Sequence, residues 1–124
     1  MKDKYGYFFI VMGFILGVLF LIETVSANTE KHYQDKWCVG EKEVVLDDRT
    51  RVDCLTPDFA IEIDWANKWQ EALGQSLHYG YMTDRRPGIV LIMRSKDDMK
   101  YWERMQKILW DYRLPIQTWM IWGE

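Results

Sequence analysis

FAIEIDW, residues 59–65, alternates side-chain character with a period of two, and ANKWQEALGQSLHY, residues 66–79, switches to a helical period directly behind it. In an extended chain the first pattern puts Phe59, Ile61, Ile63 and Trp65 on one face and Ala60, Glu62 and Asp64 on the other. The strand thus has an apolar face for a core and a second face bearing two carboxylates. In the helix, predicted over 66–81, Trp69, Ala72, Leu73, Ser76 and Leu77 form a packing stripe, and Lys68, Gln75 and Tyr79 fall on a neighbouring face. Strand followed by helix opens an alternation that continues to the C-terminus, and it decides for an α/β fold.

Downstream, DRRPG (84–88) reads as a turn and GIVLIM (88–93) as a central strand buried on both sides. A helix is predicted over 96–113, with Met99, Trp102, Met105, Gln106 and Leu109 along one stripe; Pro115 ends it, and 116–122 forms a last strand. Upstream, 29–38 is a short helix capped by Asn28 or Thr29 and stopped by Gly40. Residues 43–46 and 51–55 read as a hairpin about a turn at 47–49, and 56–58 is a second turn. The order helix, three strands, helix, strand, helix, strand permits right-handed parallel crossovers. It predicts a three-layer α/β/α sandwich with a mixed central sheet.

The 124 residues, 48% apolar and 28% charged, allow one small domain and exclude a disordered or Cys-dense chain. A net charge of −3 argues against a generally basic nucleic-acid binder, so any phosphate site must be built locally. Lys2 and Lys4 precede an almost unbroken apolar run over 7–22, which reads as an export signal. Cleavage after Ala27 leaves a single domain at 28–124, periplasmic or secreted; the other reading is an uncleaved anchor that holds the domain at the membrane. Cys38 and Cys54 are either a disulfide, worth about 3 kcal/mol for a loop of roughly 15 residues, or two buried thiols. Zinc is disfavoured, because the Cys and His residues lack ligand spacing.

Asp53 lies on the strand before Glu62 and Asp64, so three carboxylates can meet within one site. Carboxylates held together repel unless protonated or offset by a cation, and their hard oxygens suit Mg²⁺. Taken alone, these acids also describe a solvated strand face. Lys68, Gln75 and Tyr79, spaced i, i+7 and i+11, line one side of the following helix. There Lys68 can hold a phosphate oxygen or form an i,i+4 ion pair with Asp64. Ser76 and His78 lack the third partner of a hydrolase triad. Arg85, Arg86, Arg94, Lys96, Lys100 and Arg104 make the later part locally basic, interspersed with Asp84, Asp97 and Asp98.

The segment 53–79, with Asp53, Glu62-x-Asp64 and Gln75-x-x-x-Tyr79 in that order, resembles the PD-(D/E)XK nuclease superfamily, in particular its RecB-like and Holliday-junction-resolvase-like branches. The resemblance implies a restriction-endonuclease-like α-β-β-β-α-β core, extended here by a C-terminal helix and strand. It also implies Mg²⁺- or Mn²⁺-dependent hydrolysis of nucleic acid, DNA in the first instance. By the same resemblance Asp53, Glu62 and Asp64 hold metal, Glu30 is the leading acid of the first helix, and Gln75 and Tyr79 contact substrate. Glu41 and Glu43 are weaker matches for the leading acid. Asp64 stands where the pattern has lysine, a role that passes to Lys68 on the helix. Junction-cutting members would imply a homodimer. An inactive nuclease-fold binding module at the envelope is the alternative function.

Overall fold

The computed structural model describes residues 29–124. The elements are α1 (Glu30–Trp37), β1 (Glu41–Val45), β2 (Arg51–Leu55), β3 (Phe59–Trp65), a 3-10 turn (Ala66–Lys68), α2 (Trp69–Thr83), β4 (Arg86–Met93), a second 3-10 turn (Lys96–Asp98), α3 (Met99–Asp111) and β5 (Gln117–Trp122). The strands make one five-stranded sheet in chain order. β1, β2 and β3 pair antiparallel, while β3, β4 and β5 pair parallel. The connection lengths dictate this, since short turns join antiparallel neighbours and a parallel return needs a helical crossover such as α2 or α3. The fold is therefore α/β with a mixed sheet.

β4 is the buried axis, and Ile89 through Met93 are completely inaccessible. Their alternation feeds two cores. Val90 and Ile92 pack with Ile61, Ile63, Tyr33 and the two cysteines, whereas Ile89, Leu91 and Met93 pack with Ala66, Ala72, Met105 and Leu109. Tyr33 of α1 thus joins the first core, and Ala72 of α2 with Met105 and Leu109 of α3 the second. Gly88 is needed where β4 passes the ring of Trp119: a Cβ there would lie 2.9 Å from the indole and 3.0 Å from Ile61.

Cys38 and Cys54 form a disulfide with Cα atoms 5.7 Å apart, which removes the free-thiol alternative. It ties the end of α1 to β2. Several boundaries differ from the sequence-based expectation: β1 runs over 41–45 rather than 43–46, and the helix expected over 96–113 divides into a 3-10 turn and α3. β4 starts at Arg86 rather than 88, because Asp84 adopts the left-handed conformation (φ 53°) and closes α2, and Arg86 N–H already reaches Asp58 O at 3.1 Å. The turn thus shrinks to two residues. The stretch over 66–81 divides into a 3-10 turn and an α-helix that runs on to Thr83. The export-signal reading of 1–27 lies outside the described residues. Among those described, no helix is long and apolar enough to cross a membrane.

Candidate functional site

The β2–β3 ladder holds two pairs, Cys54 with Ile61 and Leu55 with Ala60, and then opens. The next position in that register is Asp53 opposite Glu62. The strands part where these two carboxylates meet, and the side chain of Asp53 takes over the missing backbone bond: its Oδ2 accepts from Ile63 N–H at 2.8 Å. On the other flank, the β1–β2 register skips Glu43 opposite Asp53, and Glu43 has φ 54°. Left-handed backbone is uncommon outside glycine, Asn and Asp and marks a position held by its surroundings. Asp53 is therefore the pivot of a fork between two ladders.

Gln34 stabilises the open side of the fork. This buried α1 residue donates from Nε2 to Asp53 O at 2.6 Å, satisfying a carbonyl that a continuous sheet would have paired. The same helix carries Glu30 one turn earlier, where its carboxyl shares a hydrogen bond with Asp64. Asp64 also accepts from Trp65 N–H at 2.8 Å and faces Lys68 Nζ at 3.9 Å. Two acid pairs result, Asp53 with Glu62 and Glu30 with Asp64.

Electrostatics follows from burial. Glu62 is only 5% exposed and its Oε2 has no hydrogen-bond partner. Loss of hydration, followed by the nearby Asp53, pushes its pKa up to about 10. Desolvation and the hydrogen bond with Asp64 raise Glu30 to about 7. Asp53 and Asp64 are also raised, in each case chiefly by burial, with hydrogen bonds acting in the opposite direction. Tyr79 from α2 is buried on the Glu62 side; desolvation and then the charge of Glu62 lift its phenol to about 12, partly offset by a hydrogen bond from Gln75. The ligand-free site thus favours protons on its acids.

The residues given site roles by the resemblance, Glu30, Asp53, Glu62, Asp64, Lys68, Gln75 and Tyr79, lie in this one network of contacts. The alternative pairing of Lys68 with Asp64 is realised as well. Among the described residues no three acidic, His or Cys side chains converge as a formed metal site; the four acids stand as two pairs. Gln34 and the pairing of His78 with Asp48 were missed by sequence reasoning, which took Glu43 only as a weaker match for the leading acid and His78 only as a residue without a triad partner. Gln34 lies four residues after Glu30 and so on the same helical face, which was the available signal. His78 packs against Tyr79 with ring centroids 5.8 Å apart, and its Nε2 meets Asp48 Oδ2 at 2.6 Å, clasping the β1–β2 turn to α2. Comparison with models of protein families, with curated proteins and with solved structures returned no match.

Proposed function

We propose that the chain is an exported, metal-dependent nuclease of PD-(D/E)XK type, hydrolysing phosphodiester bonds in nucleic acid, with DNA the first substrate to test. The observation that carries this is the fork itself. Glu62 is buried with its Oε2 unpartnered and its carboxyl beside that of Asp53, where two strands separate instead of pairing. A three-layer, restriction-endonuclease-like arrangement is the finer fold assignment that accompanies this proposal.

The donor set fits Mg²⁺ or Mn²⁺. All the oxygens are hard, and Mg²⁺ commonly takes only one or two carboxylates while keeping water and substrate phosphate as its other ligands. Asp53 and Glu62 would hold the ion, with Asp64 beside them. When bound, it supplies positive charge to a scissile phosphate and acidifies water. The protein's own groups divide the remaining work. Lys68 brings an ammonium to the non-bridging or leaving oxygen, where charge grows as water attacks phosphorus in line and the P–O ester bond breaks. Glu30, with a pKa near neutrality, exchanges the proton that must leave the water or reach the departing alkoxide. Gln75 and Tyr79 fix the α2 side of the site and offer hydrogen bonds to the substrate backbone.

The test uses the full chain in non-ionic detergent with supercoiled plasmid, linear duplex, single-stranded DNA and RNA, in Mg²⁺, Mn²⁺ or EDTA. Cation-dependent cleavage that disappears in Glu62→Ala is expected. Undiminished cleavage by that variant, or none by folded wild type in either cation, overturns the assignment. A second reading, a non-catalytic binding module, draws on Asp64, a carboxylate where the resembled pattern has lysine. It predicts nucleic-acid binding without cleavage.

A further inference from the structure

The C-terminal ends of β3 and β4 lie side by side, with Trp65 paired to Ile92. Two residues beyond Ile92, the exposed Arg94 places its guanidinium over the Trp65 indole, 4.8 Å from the ring centroid. Trp65 is in turn braced edge-on by Tyr33, with centroids 5.5 Å apart. The neighbouring acid is engaged elsewhere, because Asp98 accepts from the backbone N–H of Arg94 at 2.9 Å. Arg94 forms no ion pair among the described residues.

The indole of Trp65 packs on the α1 side of β3, while the backbone N–H of the same residue donates to Asp64; Tyr33, which touches the indole, sits one turn after Glu30, the partner of Asp64, on α1. A second cation–aromatic group lies on α3, which packs against the Ala66–Lys68 turn. There Lys100 and Arg104 stand over Tyr101 at 5.0 and 5.9 Å. The sequence has a small net negative charge, and Lys68 faces Asp64, yet Arg94, Lys100 and Arg104 rest on aromatic faces and form no ion pair among the described residues. A guanidinium stacked on a ring keeps its in-plane N–H donors free and loses much of its freedom before any ligand arrives, which suits bidentate contact with phosphate.

We infer that Arg94 on Trp65, together with Lys100 and Arg104 on Tyr101, forms a rim that grips the phosphates of a nucleic-acid strand on either side of the bond presented to the Asp53–Glu62 fork. The inference deepens the nuclease proposal and rests on it. Ligands of this class pass the carboxyl ends of parallel strands, where α/β sheets place their binding crevices.

The test is equilibrium binding of fluorescein-labelled single-stranded DNA and RNA 12-mers to the full chain in detergent, with Ca²⁺ replacing Mg²⁺, across a salt series. Unlabelled polyphosphate serves as a base-free competitor. Arg94→Gln is expected to weaken binding about tenfold and to lower the slope of log K against log salt by about 0.7, the value for one lost contact on a single strand. Lys100→Gln with Arg104→Gln is expected to lower it by about twice that, and Arg94→Lys to restore the salt slope but only part of the affinity. Unchanged affinity and slope in both Gln variants, with wild type binding well, overturns the rim and leaves the nuclease proposal standing. Polyphosphate displacing the strand as effectively as unlabelled oligonucleotide also overturns it, by making the rim a general polyanion site. Wild type that binds no oligonucleotide refutes the nuclease proposal and the rim together. Circular dichroism of each variant confirms that the fold is retained.

Discussion

The two flanks of β3 are built on opposite terms. Towards β4 it pairs at seven successive positions, from Phe59 with Arg86 to Trp65 with Ile92, and that neighbour buries aliphatic side chains on both faces. Towards β2 it pairs at two positions and then gives way to carboxylates, one of which replaces the ladder with its own side chain. One flank is a core strand in the ordinary sense, stabilised by dispersion and loss of hydrated apolar surface. The other holds Glu62 at a burial close to that of its aliphatic neighbours, in an environment that opposes its charge. Apolar stability and the candidate site thus occupy the two edges of a single strand.

The sharpest way to break this comparison is to exchange a small volume for a small charge change on each flank. Leu91→Ala, on the β4 side, is expected to destabilise the domain by about 2–5 kcal/mol, the range for deleting a buried leucine side chain. Glu62→Gln should do the reverse at pH 8. Glutamine keeps a hydrogen bond to Asp53 and removes a group that must take up a proton on folding, so the midpoint in urea should rise. A lower midpoint for Glu62→Gln would show that the carboxyl is a structural anchor and not a suspended ligand.

The disulfide is the next largest lever, because it fastens the eight-residue α1 to the strand that holds Asp53. So short a helix is marginal without tertiary contacts. Replacing Cys38 and Cys54 by Ser is expected to lower stability by about 3 kcal/mol. It should also loosen Glu30 and Gln34 more than β4, which hydrogen exchange can resolve as earlier opening of α1 than of 86–93. Simultaneous opening of both would erase the distinction between the two flanks.

A pH titration separates the flanks without mutation. Glu30 and Glu62 have native pKa values raised from 4.5 to about 7 and about 10. A raised carboxyl binds its proton more tightly when folded, so its contribution is fully present below pH 4.5 and is lost as pH climbs through the native value. In EDTA the denaturation midpoint should therefore fall between about pH 5 and pH 10, and Glu62→Gln should flatten the upper part of that decline. Mg²⁺ or Mn²⁺ at millimolar concentration should offset the decline at high pH by favouring the ionised acids. A midpoint independent of pH would mean that the acids are hydrated and the fork is open to solvent.

These contrasts explain what the chain disclosed before its structure. Alternation over 59–65 and the apolar run over 88–93 are local properties, and with the helical period behind each strand they placed β3, β4 and their helices to within about two or three residues. The acids were legible too, because Glu62 and Asp64 share a face by strand geometry alone. The break in the ladder was not legible. Asp53 meeting Glu62 depends on a register set by the turn over 56–58, and Gln34 looks like any polar residue on an eight-residue helix until its partner carbonyl is known. Arg94 belongs to the same class: in sequence it is one cation in a mixed stretch, and only the parallel pairing of β3 with β4 sets it over Trp65.

Lys68 gives the smallest stability effect and the finest discrimination. Its ammonium is 3.9 Å from Asp64 Oδ1, with about half of its side chain exposed (47%). Asp64 is buried, but Lys68 is half-exposed and Asp64 keeps its bonds with Trp65 N–H and Glu30, so a contact of this length contributes about 0–1 kcal/mol and Lys68→Ala should lower the urea midpoint only slightly. A residue that merely neutralised Asp64 would have no further consequence. In the proposed nuclease, Lys68, in the turn between the acidic strand and α2, takes the role of the lysine that the resembled pattern has at position 64. Its removal should then reduce cleavage by about 10²–10³-fold, as for the loss of one preorganised transition-state donor. Lys68→Arg should recover part of that rate, since it keeps the charge and changes its reach. Full activity in Lys68→Ala would return the residue to the surface, leaving the β2–β3 fork to carry any chemistry with its carboxyls alone.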